Sequence, residues 1–288
     1  DSNNYGQNHG NYKAILAVDA FTAIKTDYHN AFEQLNEYQQ LTRDWLFGYL
    51  TYDLKNNVEH LTSQNFDGLH FPDLYFFQPK KLYLLKGNQV EIQYLNCVDD
   101  ELEADLNTIK NIKEEQSDSL CSDIKIKLRI HKDEYFDKVN TMLTHIHRGD
   151  IYEANFCQEF YADNTNINPL VTYNKLNTIS KPPFATFLKL NDKYLLSASP
   201  ERYIKKEGQT IISQPIKGTA KRSSNSEEDK ILKEQLEKDP KERSENVMIV
   251  DLVRNDLSKT AIKGSVVVKE LCKVYTFDQV HQMISTIE

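Results

Sequence analysis

The chain has 288 residues, enough for one large domain or two small ones with a sizeable core. With 43 acidic against 35 basic residues its net charge is −8, which argues against nucleic acid or an anionic membrane as a partner and leaves any anionic ligand in need of a local cationic site. No run of ~18 apolar residues exists to cross a bilayer; Cys97, Cys121, Cys157 and Cys272 are scattered, without CxxC pairs or disulfide-dense spacing, so a reducing cytoplasm is expected.

Asp1 to Asn11 is polar and rich in asparagine, unlike a secretory signal. Aromatic and β-forming residues then dominate to about Val98, with strands predicted at 14–18, 45–52, 82–86 and 90–95. Gly87-Asn88 marks a hairpin turn between the last two. Residues 99–123 are strongly charged and read as a solvated helix followed by a linker. Phe136, Val139, Leu143 and Ile146 recur at helical spacing between Asp133 and Arg148, and Gly149 suits the stop. His145 and His147, two apart, fall on different faces of that helix end and read as exposed groups rather than metal ligands.

Residues 151–161 read as a strand with Tyr152, Ala154, Phe156 and Phe160 on one face and Glu153, Asn155 and Cys157 on the other. Residues 202–206 and 209–213 read as a hairpin turning at Glu207-Gly208. Ser226 opens a charged helix, with Asp229 three residues on. Asp239-Pro240-Lys241-Glu242 predicts another helix start, with a capping aspartate, proline in the first turn and a reciprocal glutamate.

Two features carry chemistry. The hairpin returns Glu201, before its first strand, and Lys217, in the Pro215-Ile216-Lys217-Gly218-Thr219 turn after its second, to the same end. A carboxyl and an amine converging there form an acid and nucleophile pair, although from spacing alone a surface salt bridge is the simpler reading. On the helix after Asp239, Glu245 shares a face with Met248, Ile249, Leu252 and Asp256. If that stripe is buried, Glu245 must be paired, protonated or metal-bound; the alternative is a glutamate at the stripe's edge. Gly218 permits close backbone approach and the Thr219 hydroxyl offers a hydrogen bond to a carboxylate, or both simply form a turn.

The order of these segments adds to that reading. Ser199-Pro200-Glu201-Arg202, Pro215 to Thr219 and the run from Lys241 through Glu245-Asn246 to Leu257 occur together with Gly149-Asp150-Ile151-Tyr152, Gly264-Ser265-Val266 and Val280-His281 through Thr286. The set resembles the chorismate-utilising enzymes, which include anthranilate, isochorismate, salicylate and aminodeoxychorismate synthases. It covers about Lys132 to Glu288, with weaker matches upstream at Trp45-Leu46-Phe47-Gly48-Tyr49 and Tyr52-Asp53-Leu54.

The resemblance implies an α+β fold, with large, mostly antiparallel sheets packed as a sandwich and helices outside. Residues 1–123 would be a β-rich region ending in a charged linker, and 124–288 the first part of the chorismate-binding catalytic domain. Lys217, where anthranilate and isochorismate synthases usually carry alanine, looks like the lysine with which aminodeoxychorismate synthases attack ring carbon 2. That role requires a neutral amine. Glu201 matches the family's general acid, Glu245 its ligand for magnesium (Mg2+), and Gly218 and Thr219 its substrate-binding turn. Pro183, Phe184 and Ala185 match a stretch that touches bound tryptophan in relatives, but no partner motif is recognised near the N-terminus.

Three departures stand out. Glu153 replaces the lysine that activates water in hydrating relatives, and aminating relatives usually have glutamine there. The family histidine's position is Gln282, so His281 is not assigned to catalysis. Relatives continue beyond the position of Glu288 with a Gly-Ala-Pro-Lys motif, a carboxylate-binding arginine and tyrosine, and another magnesium glutamate, so a chain truncated at its C-terminus is expected. The implied function is component I of aminodeoxychorismate synthase, converting chorismate and ammonia to 4-amino-4-deoxychorismate for 4-aminobenzoate and folate. A glutamine amidotransferase subunit would supply the ammonia in a heterodimer. The alternatives are anthranilate synthase component I and a shortened, non-catalytic binding protein.

Overall fold

The computed structural model describes residues 1–3, 5, 10–112 and 124–288; residues 113–123, the end of the stretch expected to be a helix followed by a linker, and Cys121 with them, lie outside the described residues. The chain divides into two compact units, one formed by Asp1–Lys113 with Tyr173–Glu288 and the other by Glu114–Thr172.

The first part of the larger unit runs β1 (Ala14–Thr26), α1 (Ala31–Thr42), β2 (Phe47–Leu50), a 3-10 turn leading into α2 (Lys55–Val58), β3 (Leu74–Lys86), β4 (Gln89–Tyr94) and α3 (Leu102–Asn111). β3 organises a four-stranded antiparallel sheet. β1 follows one edge of it, while β2 takes residues 74–77 and β4 residues 81–86 of the other. Pro79 has no amide to give to a ladder, and beside it β1 carries an extra residue, Phe21, as a bulge. Ala31, Leu54 and Leu74 are buried together against Ile24, Tyr28, Leu35 and Phe76, each leucine contributing about 2 kcal/mol of apolar burial.

The polar helix α3 buries no residue fully and is tied down by charge. Lys81 Nζ on β3 lies 2.5 Å from Asp105 and 2.6 Å from Glu101. The Tyr94 hydroxyl donates to Asp105 at 2.6 Å. The Lys81 ammonium holds the Asp105 carboxyl below its ordinary range.

The smaller unit contains β5 (Lys127–Leu128), α4 (Lys132–Arg148) and β6 (Phe160–Tyr161). α4 forms where the spacing predicts and closes at Gly149, φ 81°, whose amide returns to the His145 and Ile146 carbonyls. His145 is exposed, with Nδ1 2.8 Å from Asp150. The strand expected over 151–161 is largely absent: only Phe160–Tyr161 pairs, with the two residues of β5. Alternation specifies a face but a strand also needs an edge to bond. Here the Gln158 side chain takes both backbone groups of Ile130 instead, at 3.2 and 2.6 Å.

The chain continues through α5 (Pro169–Ser180), the hairpin β7 (Phe184–Leu190) and β8 (Lys193–Ser199), the predicted hairpin β9 (Arg202–Glu207) and β10 (Thr210–Gln214), then β11 (Ile216–Lys221), α6 (Ser226–Lys238), α7 (Pro240–Ser258), β12 (Val268–Thr276) and β13 (Val280–Ile287). β13 is central to a five-stranded sheet. β12 lies along one edge, β11 and the end of β10 along the other, and β9 beyond β10. Leu236 of α6 packs with Cys272, Val274 and Met283 of the sheet.

Of two expected helix starts, one differs in detail. α6 opens at Ser226 as expected, and Asn225, one residue ahead of the first helical one, caps it by accepting from the Glu227 and Glu228 amides. Asp239 caps α7 and accepts from the Glu242 amide, but its own amide bonds the Leu236 carbonyl, so the reciprocal glutamate contact is not made. Each described strand pairing is antiparallel and the helices flank the sheets in sequence, giving the expected α+β class. Among the described residues no helix is long and apolar enough to cross a membrane.

Candidate active site

The 215–219 segment is a distorted strand rather than a turn. Pro215 separates β10 from β11, yet both follow β13, and the Pro215 carbonyl accepts from the Ser285 amide at 3.2 Å. Register then slips: Ile216 pairs with Ile284 and Thr219 with Gln282, so Lys217 and Gly218 together oppose Met283. This is a bulge, a device that re-aims side chains. Gly218 has φ 95°, and a Cβ there would stand 3.2 Å from Glu242 Oε2 and 3.3 Å from Met283 Cβ. Both conformation and space therefore call for glycine. Lys217 is half-buried and Thr219 exposed.

Glu201 sits in the bend between β8 and β9, where its amide donates to the Ser199 hydroxyl at 3.2 Å. Its carboxylate Oε1 accepts from the Ile216 amide at 3.1 Å. The hairpin thus delivers the acid to the residue preceding Lys217.

α7 supplies the neighbouring carboxylates. Its inward residues are Asn246 and Val250, with Arg243, Val253 and Leu257 half-buried along the same side. The stripe predicted through Glu245 is not the buried one: Leu252 is 57 % exposed and Asp256 is exposed. Apolar residues fill every position from 247 to 250, so the helix can present either side, and the close approach at Gly218 selects the face bearing Asn246. Glu245 is half-buried at the edge, 3.2 Å from Lys241 Nζ, which also lies 3.6 Å from Glu242. Among the described residues no group of three or more His, Cys, Asp or Glu side chains is placed to hold a metal. Glu242 and Glu245 are nevertheless two hard oxygen donors on successive turns around one ammonium, the donor chemistry that magnesium takes when substrate oxygens and water complete its shell.

Other residues fall into structural roles. His281 is 1 % exposed, between Thr276 Oγ1 and Asp229, with Nδ1 and Nε2 each at 3.0 Å. Asp229 also accepts from Arg222 Nε at 2.8 Å and the Ser223 amide at 2.9 Å. The Arg222 guanidinium, followed by that amide, holds the Asp229 carboxyl well below the usual carboxylate range. Gln282, cross-strand from Thr219, keeps Oε1 buried without a hydrogen-bond partner among the described residues, an acceptor open to a donor. Pro183 and Ala185 are buried and Phe184 half-buried. Asp1 and Ala185 exchange backbone bonds at 2.9 and 3.0 Å, and the Asn3 side chain donates to the Pro182 carbonyl at 2.8 Å. The sequence gives no periodic signal for that N-terminal contact. Glu153 belongs to the smaller unit.

A lysine on a bulge, a carboxylate on the preceding amide and a carboxylate-bearing helix above them are the elements that the sequence motifs name. Residues 5–288 match the family described as chorismate binding enzyme. The chain belongs to this family. It is 31% identical over 242 residues to aminodeoxychorismate synthase component 1 of Klebsiella aerogenes, covering 84% of this chain and 52% of that protein. It is 30% identical over 251 residues to anthranilate synthase component 1 of Thermus thermophilus, covering 84% and 54% respectively. The chain thus spans about half the length of these curated relatives. The crystal structure of anthranilate synthase component I from Streptococcus pneumoniae superposes with a TM-score of 0.82, covering 98% of this chain and 69% of that one. At 22% identity that likeness shows the shared chorismate-enzyme fold.

Proposed function

We propose that this chain carries the amination chemistry of component I of an aminodeoxychorismate synthase, acting on chorismate and ammonia. The observation that carries the reading is the Glu201 carboxylate on the Ile216 amide, one residue before a bulged Lys217. Lys217 would add as a neutral amine to ring carbon 2, forming a C–N bond as both ring double bonds shift towards carbon 4. The 4-hydroxyl, protonated by Glu201, departs as water. Ammonia then adds at carbon 4, both double bonds shift back, the bond to Lys217 breaks, and the new ammonium returns a proton to Glu201. Hydroxyl has been exchanged for amine and the lysine is restored.

Glu201, on the exposed bend, is within reach of a leaving group arriving over β11. Gly218 and Thr219 would bind the substrate's edge, and Glu245, with Glu242 beside it, would hold magnesium once Lys241 yields. When bound, the cation would neutralise a substrate carboxylate on an otherwise acidic protein. The name "component 1" among the relatives supports a partner subunit. We propose a glutamine amidotransferase in that place, and 4-aminobenzoate and folate as the product's destination.

The relative from Thermus thermophilus favours a second reading, anthranilate synthase component I. Incubating the complete protein with chorismate, magnesium and an ammonium salt separates the two. Aminodeoxychorismate supports the proposal, whereas anthranilate as the product rejects it.

A further inference from the structure

β13 is bulged from both sides at nearly the same level. On one edge Lys217 and Gly218 oppose Met283; on the other, Leu271 and Cys272 oppose Ser285, and Cys272 adopts the left-handed region at φ 54°. Bulges leave backbone groups without ladder partners, and buried groups of that kind need another. One side chain meets those needs. Asn246, 1 % exposed on α7, donates from Nδ2 to the Lys217 carbonyl and the Met283 carbonyl, each at 3.2 Å. Its Oδ1 accepts from the Ser285 hydroxyl at 2.5 Å and lies 3.6 Å from the Cys272 thiol. The Ser285 hydroxyl in turn accepts from the Cys272 amide at 2.9 Å.

The two carbonyls fix which end of the amide is the donor, so the Asn246 orientation follows from its surroundings. Burial pushes the Cys272 thiol up, which keeps it protonated and able to donate to Oδ1. An aspartate there would lose the donor shared by both carbonyls, and an alanine would leave them buried and unpaired.

We propose that Asn246, oriented by Ser285, is a positioning residue that sets the geometry of the Lys217–Gly218 bulge and through it the reactivity of the Lys217 amine. The inference rests on Lys217 being the reactive lysine, but its physical content is independent of which reaction follows. Asn246 touches the backbone of the bulge and belongs to the same helix as Glu242 and Glu245. It therefore couples the lysine to the carboxylates above it.

The test uses the complete protein and compares Asn246→Ala with Val250→Ala, a truncation one turn further along the same buried side of α7. Ser285→Ala is the milder variant should Asn246→Ala fail to fold. Trace acetic anhydride labels the lysines without substrate, and peptide mass spectrometry gives the Lys217 rate relative to Lys259, an exposed lysine at the far end of α7. The expected result is a change of about threefold or more in relative Lys217 labelling for Asn246→Ala and Ser285→Ala. Turnover with chorismate and ammonium should fall about tenfold or more in kcat, with KM changed less. Val250→Ala should lower thermal stability while leaving relative labelling and kcat near wild type. Unchanged Lys217 labelling in folded Asn246→Ala or Ser285→Ala, or an equal change in Val250→Ala, would overturn the positioning role. A wild-type protein that labels as expected but does not aminate chorismate would instead reject the proposed function.

Discussion

The two larger sheets each hang on one long strand, β3 or β13, and each is bulged, but the bulges answer to different causes. In the N-terminal sheet the irregularity follows from Pro79, which cannot donate, and the extra residue, Phe21, is 52 % exposed. The polar cluster of that sheet, Lys81 with Glu101, Asp105 and Tyr94, pins a surface helix and touches no reactive group. In the C-terminal sheet Pro215 lies outside the slips at Lys217–Gly218 and Leu271–Cys272. Both meet a buried amide from α7, and the Lys217–Gly218 slip lies beside Glu201 and Glu242. A bulge maintained by a dedicated side chain next to paired carboxylates marks a site, while a bulge relieving a proline marks a fold constraint.

The largest expected contrast lies in catalysis. Glu201→Gln keeps an acceptor for the Ile216 amide and so the local fold, but cannot supply the proton. Turnover of chorismate with ammonium should drop by about a hundredfold or more, with an unchanged circular dichroism spectrum; comparable turnover would remove Glu201 from the mechanism. Next comes the pair Gly218→Ala and Gly87→Ala. Both glycines have positive φ, but a Cβ at Gly218 meets Glu242 and Met283 whereas nothing lies within 4 Å of one at Gly87. Denaturant unfolding should show a loss of about 2–3 kcal/mol for Gly218→Ala and about 1 kcal/mol for Gly87→Ala, and only the former should impair turnover. Equal losses would show that the crowding at the bulge is not felt.

Lys81→Met should lower the thermal midpoint while leaving turnover and relative Lys217 labelling unchanged, because its partners Glu101 and Asp105 lie on α3 and the turn before it, against the N-terminal sheet; a loss of turnover would couple the two regions. The smallest effect is in acid. Asp229 has a depressed native pKa, set first by Arg222 and then by the Ser223 amide, with His281 also facing it. Its stabilising contribution is therefore complete above the unfolded value of about 3.9 and is withdrawn as pH falls below that towards the native one. Urea titrations should show a shallower acid slope in Asp229→Asn below about pH 4, and an identical slope would deny the depressed pKa.

Local signals in the sequence specify the pieces whose causes are local. Gly208 between Ile204 and Ile211 defines the β9–β10 hairpin, Asp239-Pro240 starts α7, and Gly149 stops α4. The meeting of Glu201 with the strand of Lys217 follows from that hairpin. What the sequence leaves open depends on partners far along the chain. The Lys217–Gly218 bulge exists only in register with Met283, so the segment reads as a turn in isolation. Asn246 carries no local signal of its role, because its four partners come from three strands. The 151–161 stretch alternates like a strand but lacks an edge to pair with. The choice of face on α7 is undecidable from a run of four apolar residues, and the docking of Asp1 and Asn3 on the Pro182–Ala185 stretch carries no periodic signal at all.

The central claim is that Lys217 bonds to the substrate. The complete protein mixed with chorismate and magnesium, without ammonia, then acid-quenched and digested, should show the peptide bearing Lys217 increased by the mass of chorismate less water. The adduct should discharge when ammonium is added and be lost in Lys217→Ala. Amination at an undiminished rate in Lys217→Ala, with no adduct on the wild-type peptide, would contradict the claim.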